Sequence, residues 1–230
     1  MTCAELEIEK NDTAESVMPV INTRTEQYIV AKVPPTNTDV SLALQSSGFR
    51  YIETLFCVSY RIGDKKPLPD ICRPFADDVS YHIADEAETE RLLGEMSSGK
   101  LFSTDRIALD PYFTREAAGR RYMYWTKDVL ASGKAKIVIC DYCGKSIGFD
   151  IAVDKGKYID MILGGLFIEN LDSGLGAVSA YGGLIYAYDF GKKKVVSHVS
   201  SNNFQMLRID LMLGNSIKSL TSNFIKHNDL

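Results

Sequence analysis

Several features that would point to a partner directly are missing. No apolar run reaches the roughly 20 residues that a membrane-spanning helix needs, and the opening stretch MTCAELEIEK is acidic. It has neither the basic start nor the apolar centre of an export signal. No basic stripe interleaved with aromatics occurs, and the formal net charge is −4 with a pI near 5.5. Nucleic acid therefore has no electrostatic footprint here. The five cysteines are odd in number, which in a chain without an export signal reads as reduced thiols of a cytoplasmic protein. Cys140-Asp141-Tyr142-Cys143 is a lone CxxC with no second pair at zinc spacing and no helix after it. Neither a metal site nor thiol redox chemistry is expected from it.

What remains is a globular chain of 230 residues, 45% hydrophobic. That suffices for one substantial core, or for two small ones sharing an interface. The most informative stretch is Leu166 to Gly191, LFIENLDSGLGAVSAYGGLIYAYDFG. Leu166, Phe167 and Ile168 read as the end of a buried strand, Gly174 and Gly176 flank Leu175 in a turn, and a helix is expected from near Ala177. Glycines let backbone approach a ligand, and the unpaired N–H groups of a helix start point into the turn. Such a turn suits a phosphate or pyrophosphate, although a plain strand-to-helix connection has the same pattern.

Along the chain, residues 1–27 are polar and poorly periodic, with a short apolar interruption at Val17 to Ile21, and are expected to be partly irregular. YIVAKV then reads as a strand, PTNTDVSLALQSSG as a capped helix ending at Gly48, and FRYIETLFCVSYRI as one long or two short strands. The pattern recurs near the C-terminus: Val33, Asn37 and Gly48 map onto Val199, Asn203 and Gly214 with a constant offset of 166. An internal duplication is expected. The charged, proline-rich GDKKPLPDICRP, Gly63 to Pro74, is the expected boundary between residues 1–74 and 75–230.

The second segment reads as a helix over Asp85 to Met96, the loop LFSTDRIALDPYF, and a helix capped by Thr114. The hairpin KIVIC/SIGFDIAV and the strand YIDMILGGLFI then lead into the glycine turn. Gly164-Gly165 inside a strand marks a bulge or a place where a ligand nears the backbone.

Helix, helix, hairpin, strand, glycine turn, helix, strand, helix, strand over residues 75–230 resembles the GNAT N-acetyltransferase superfamily. The six residues Leu171, Asp172, Ser173, Gly174, Leu175 and Gly176 occupy the spacing of that family's acetyl-CoA loop, with Leu171 where the family has Arg or Gln. Gly144 to Phe149 is similar to its hairpin signature, and Val199 to Asn203 to its Val-Ser-x-x-Asn. AKVPPTNTDVSLALQSSGF and FSTDRIALDPYFTREAAGRRYMYWTKDVL more narrowly resemble the dTDP-fucosamine acetyltransferases. These carry a degenerate N-terminal half and acetylate a dTDP-linked 4-amino-4,6-dideoxygalactose.

The resemblance implies an α/β fold with a mixed, mostly antiparallel central sheet flanked by helices, and a degenerate N-terminal half-GNAT subdomain in residues 1–74. It implies acetyl-CoA as co-substrate and no metal. The cofactor would lie against Leu166, Phe167, Ile168, the six-residue turn, Ala177 and Asn203, with Lys192, Lys193, Lys194 or Arg208 as outer cations. The acceptor would be a small-molecule amine, a dTDP-linked amino sugar first, selected by Arg106, Asp110 and Tyr112, with Trp125 able to stack. A homodimer is left open.

Amide-forming acyl transfer needs a base for the amine, an oxyanion donor and an acid for the departing thiolate. His198 stands where several family members place a Glu base; a core histidine is the other reading. The oxyanion donor is expected from backbone near Leu166. Asp210 occupies the place of the family's tyrosine acid, and a carboxylate on an apolar helix face is costly unless partnered or protonated. Tyr181, Tyr186 or solvent would be the substitutes. The expected function is direct acetyl transfer from acetyl-CoA to an amine. The alternatives are a non-catalytic binding or regulatory module, or an N-acetyltransferase for a peptide, amino acid or aminoglycoside.

Overall fold

The computed structural model describes residues 1–228. The first polar stretch forms β1 (Cys3–Glu7) and α1 (Ala14–Asn22), where irregular chain was expected. Local chemistry accounts for the helix: Thr13 and Ser16 form a reciprocal cap, and Val17 and Ile21, one turn apart, are its buried pair. Next come β2 (Tyr28–Val33), α2 (Thr38–Ser46) and β3 (Arg50–Arg61), the last a single long strand.

Beyond the proline-rich connection lies β4 (Val79–Ile83), which the sequence reading lacked because five residues are too few to show a period. Helix α3 (Glu86–Ser97) opens on an Asp85–Glu88 capping box, and α4 (Arg115–Ala131) on the Thr114 cap. Strands β5 (Ala135–Tyr142) and β6 (Lys145–Asp154) form the expected hairpin. Its turn residues Cys143 and Gly144 have φ of 50° and 72°, the left-handed backbone that a two-residue connection requires. The chain finishes with β7 (Ile159–Leu166), α5 (Gly176–Asp189), β8 (Lys194–Ser200), α6 (Phe204–Met212) and β9 (Ser216–His227). The third strand of the run thus ends at Leu166, and Phe167 and Ile168 lie outside it.

Among the described residues the strands form one sheet, in the order β1-β2-β9-β3-β8-β7-β6-β5-β4. Pairing is antiparallel except between β1 and β2 and between β7 and β8. Strand alternation separates two cores. Ile137, Ile139, Phe149 and Ile151 pack with Leu92 and Met96 of α3, whereas Val138, Cys140 and Ala152 pack with Leu184 and Ile185 of α5. Helices α3 and α4 therefore cover one face, and α5 covers the other.

A structural repeat with the same offset of 166 residues is visible in detail. Helices α2 and α6 begin and end 166 residues apart, as do β3 and β9. Asn37 and Asn203 cap their helices by accepting from Val40 N and Met206 N, at 3.4 and 3.1 Å. Gly48 and Gly214 stop them with φ of 87° and 93°. Register repeats as well: Val33 faces Ser222 as Val199 faces Phe56. The two units have exchanged their last strands, since β9 lies beside β2 and β3 lies beside β8. Strand pairing therefore crosses the 63–74 connection in both directions.

Candidate functional site

Strands β7 and β8 pair only from Ile159 to Met161 against Val195 to Ser197. A bulge at Ile162, followed by Gly164 and Gly165, then carries β7 away from β8. A cavity of about 340 Å³ fills the gap. Gly176, Ser179, Asp150 and Asp210 line it on the α5 side, and Glu53, Asp105, Arg106, Tyr122 and Trp125 on the α4 side. Past Met161 the edge of β7 that faced β8 has no strand partner and is open to this space, and a Cβ on Gly165 would meet nothing within 4 Å.

At one end of the cavity stands the start of α5. Gly174 has φ of 77°, and Leu175 at the cap position supplies no side-chain hydrogen bond, whereas α2, α4 and α6 are each capped by a side chain. The N–H groups of Gly176, Ala177 and Val178 therefore lack intrahelical acceptors. Leu175 N–H is turned onto Ser173 Oγ at 3.2 Å. Leu171, Asp172 and Ser173 are exposed on the rim. These amides and the helix dipole favour an anion.

Of the strand-end residues, Leu166 lines the cavity. Phe167 is buried on the opposite face, against Phe149 and beneath the Arg91 guanidinium, and its N–H bonds to Ile147 O at 3.0 Å. The Ile168 N–H is taken by Glu95 Oε2 at 2.9 Å. The N–H groups of both residues are thus already engaged within the fold. Asn203 lines the cavity while capping α6. Lys192, Lys193 and Lys194 follow the C-terminal end of α5, whose 14 residues put them far from the glycine turn; at 1.5 Å per residue the gap is roughly 20 Å. Arg208 is exposed on α6.

On the α5 side, Asp210 is 5% exposed. Its Oδ1 accepts from Asn215 Nδ2 at 3.1 Å, and its Oδ2 has no partner among the described residues. Burial pushes its pKa up to about 7. Asp150, on β6, lines the same cavity. Burial, then the nearby Asp210, hold its carboxyl well above the ordinary range. Side chains on Gly164 or Gly183 would overlap that carboxyl. Sequence reasoning missed Asp150, although an acid between Phe149 and Ile151 in a buried strand was a usable signal. Tyr181 donates to Pro67 O at 3.1 Å, and Tyr186 packs on Tyr81 and Phe190. Neither of these two lines the cavity.

On the other face, His198 is exposed on β8 at the cavity edge. Two residues on, Ser200 Oγ donates to Thr104 O at 2.9 Å, so this face looks onto the loop between α3 and α4. Arg106 reaches the cavity from that loop, with Nη2 on Glu5 Oε2 at 2.7 Å and Nε unpaired. Asp110 and Tyr112 do not. Asp110 Oδ2 pairs with His227 Nε2 at 2.7 Å, its Oδ1 accepts from Tyr112 N, and the Tyr112 ring stacks on His227 at 3.9 Å. That cluster ties the loop to β9. Glu53, which sequence reasoning also missed, is 2% exposed on β3; Oε1 accepts from Asn223 Nδ2 at 2.9 Å and Oε2 is unpaired. Cys140 of the CxxC is buried in β5, and burial pushes its thiol up to about 12.

No known family model matches the sequence, and neither does any curated protein. Solved structures do match the fold. A GCN5-related N-acetyltransferase from Sphaerobacter thermophilus aligns at 11% identity with a TM-score of 0.57, over 93% of this chain and 64% of that one. This chain thus spans less than two thirds of that protein. A GCN5-related N-acetyltransferase from Kribbella flavida aligns at 12% identity, TM-score 0.58, over 96% and 77%. A tandem GNAT protein from the clavulanic acid biosynthesis pathway aligns at 13% identity, TM-score 0.54, over 93% and 68%. At these identities the likeness is one of architecture: the chain has the GNAT fold, with its mostly antiparallel open sheet flanked by helices.

Proposed function

We propose that this chain transfers an acetyl group from acetyl-CoA to a primary amine in a direct, ternary-complex reaction. The observation that carries the reading is the continuous space from the uncapped start of α5, through the parting of β7 and β8, to the polar pocket on the other face. One end suits an anion and the other an acceptor, and the edge of β7 left open past Met161 suits an extended arm between them.

In this reading the amides of Gly176, Ala177 and Val178 hold the cofactor's pyrophosphate, and the free edge of β7 near Leu166 pairs with the arm and polarises the thioester carbonyl. The amine nitrogen attacks the carbonyl carbon, and the carbon–sulfur bond breaks. Asp210, protonated near neutrality, gives its proton to the leaving thiolate. Starting as an ammonium, the nitrogen sheds one proton before it attacks and a second in becoming an amide. One restores Asp210, and the other leaves to solvent through His198 at the exposed edge.

A dTDP-linked amino sugar is the first acceptor to test, on the strength of the sequence resemblance in Ala31–Phe49 and Phe102–Leu130 and of the arginine and aromatic groups in the pocket. The test is thiol release from acetyl-CoA with dTDP-4-amino-4,6-dideoxygalactose, an aminoglycoside, an amino acid and a peptide amine. Turnover with the sugar nucleotide alone supports the full reading; turnover with another amine keeps the reaction and replaces the acceptor. A specific observation favours a second reading, a non-catalytic binding module: Leu171 and Asp172 stand on the turn where a cationic side chain would assist a phosphate. Cofactor binding without turnover on any amine would favour it.

A further inference from the structure

The pocket on the α4 face holds three buried polar atoms without partners among the described residues: Glu53 Oε2, Asp105 Oδ2 and Arg106 Nε. Each has a sister atom already engaged. Glu53 Oε1 accepts from Asn223 Nδ2, Asp105 Oδ1 accepts from Ile107 N at 2.8 Å, and Arg106 Nη2 donates to Glu5. The side chains are therefore fixed, and one atom of each is left over. The Ser200 hydroxyl lies beside Glu53 but donates to Thr104 O at 2.9 Å and accepts from Asn202 N at 3.2 Å, and in that arrangement Glu53 Oε2 is left without a donor. A buried, half-satisfied carboxylate costs free energy that folding alone does not recover.

The leftover atoms are two acceptors and one donor. A protonated amine supplies N–H groups to two carboxylates, and an oxygen next to it takes the N–H of Arg106. Around them stand Phe102, Tyr122 and Trp125, with Phe102 and Tyr122 ring centres 4.5 Å apart. These give the ligand an apolar or flat flank.

We propose that Glu53, with Asp105, forms an ammonium subsite for a primary amine bearing a neighbouring hydroxyl or carbonyl oxygen, and that Glu53 Oε2 takes one proton from that ammonium. The step leaves a neutral amine with its lone pair free and a protonated Glu53, whose proton is the one that then leaves to solvent through His198, while the nitrogen's second proton restores Asp210. Burial raises the Glu53 carboxyl above its ordinary value, which brings it closer to a proton-accepting range. The proposal rests on the acetyl-transfer reading for its purpose. It places the amine's recognition on β3, a strand supplied by the N-terminal unit, so the degenerate half contributes directly to the site.

Trp125 is the single tryptophan and lines the pocket, so intrinsic fluorescence reports occupancy. The experiment titrates the full chain with phenylethanolamine and with styrene glycol, the same molecule with a hydroxyl in place of the amine. The expected result is at least tenfold tighter binding of the ammonium compound. That preference should grow as pH rises through the Glu53 titration and be lost in Glu53→Gln. Equal binding of both compounds to the unaltered chain, or no binding of either, overturns the proposal without needing any variant. A Glu53→Gln variant that melts normally and keeps the preference with its pH dependence also overturns it. A parallel titration with desulfo-CoA separates the two ideas: ammonium selectivity without cofactor binding sinks the acetyl-transfer reading alone, and cofactor binding without ammonium selectivity sinks this one alone.

Discussion

Leu55 of β3 and Thr221 of β9 face each other in the sheet, and they are the same position of the two repeated units. An approximate twofold axis passes between them. The bulges obey it too, because the residues skipped in the β3–β9 pairing, Ile52 and Lys218, are also 166 apart. Each unit lends its last strand to the other.

That exchange makes the two segments interdependent. Residues 75–230 alone would lack β3, exposing the edge of β8, and would leave β9 without either neighbour. Neither 1–74 nor 75–230 should show a cooperative melt by circular dichroism, and coexpression of the two should restore one. A 75–230 fragment melting like the whole chain would refute the interdependence.

Asp210 links stability to pH and, in the proposed reaction, to activity. In the folded chain its carboxyl keeps a proton up to about pH 7, against an ordinary value of 3.8. Between those values the folded chain binds a proton that the unfolded chain has lost, so stability falls as pH rises through the window. Asp210→Asn can still accept from Asn215 and avoids the buried charge. It should be more stable at pH 8 by up to ~4 kcal/mol and nearly unchanged at pH 3.5, while kcat falls about 100-fold. Thermal melts at both pH values and thiol-release rates check this.

Gly165 tests the route of the cofactor arm. A Cβ there meets nothing within 4 Å, and the residue lines the cavity. Gly165→Val should leave the melting temperature unchanged and weaken CoA affinity about tenfold, or about 1.4 kcal/mol, as read by calorimetry.

His198 is expected to matter most where solvent is a poor base. His198→Ala should lower kcat several-fold more at pH 7 than at pH 9, because hydroxide takes over the proton at high pH. Equal losses at both pH values would remove the residue from proton transfer.

Much of this was legible in the sequence because it rests on local chemistry. The helix starts at Asn37, Asp85, Thr114 and Asn203, the Cys143-Gly144 hairpin and the glycine turn before α5 follow from caps and turn residues. The exchange of β3 and β9 was not, since strand pairing between distant segments leaves no periodic trace. For the same reason Glu53, brought to the cavity by that exchange, was invisible, and Asp110 and Tyr112 read as pocket residues until His227 was seen to engage them. Asp210 stood out because it is an acid on an apolar helix face, and it is the buried residue of α6.

The most direct measurement is a calorimetric titration of the intact chain with acetyl-CoA and, separately, with desulfo-CoA. The account predicts binding of both in the micromolar range, weakened by Gly165→Val. Absence of binding at millimolar cofactor would contradict it, because the uncapped start of α5 and the open edge of β7 would then hold no CoA.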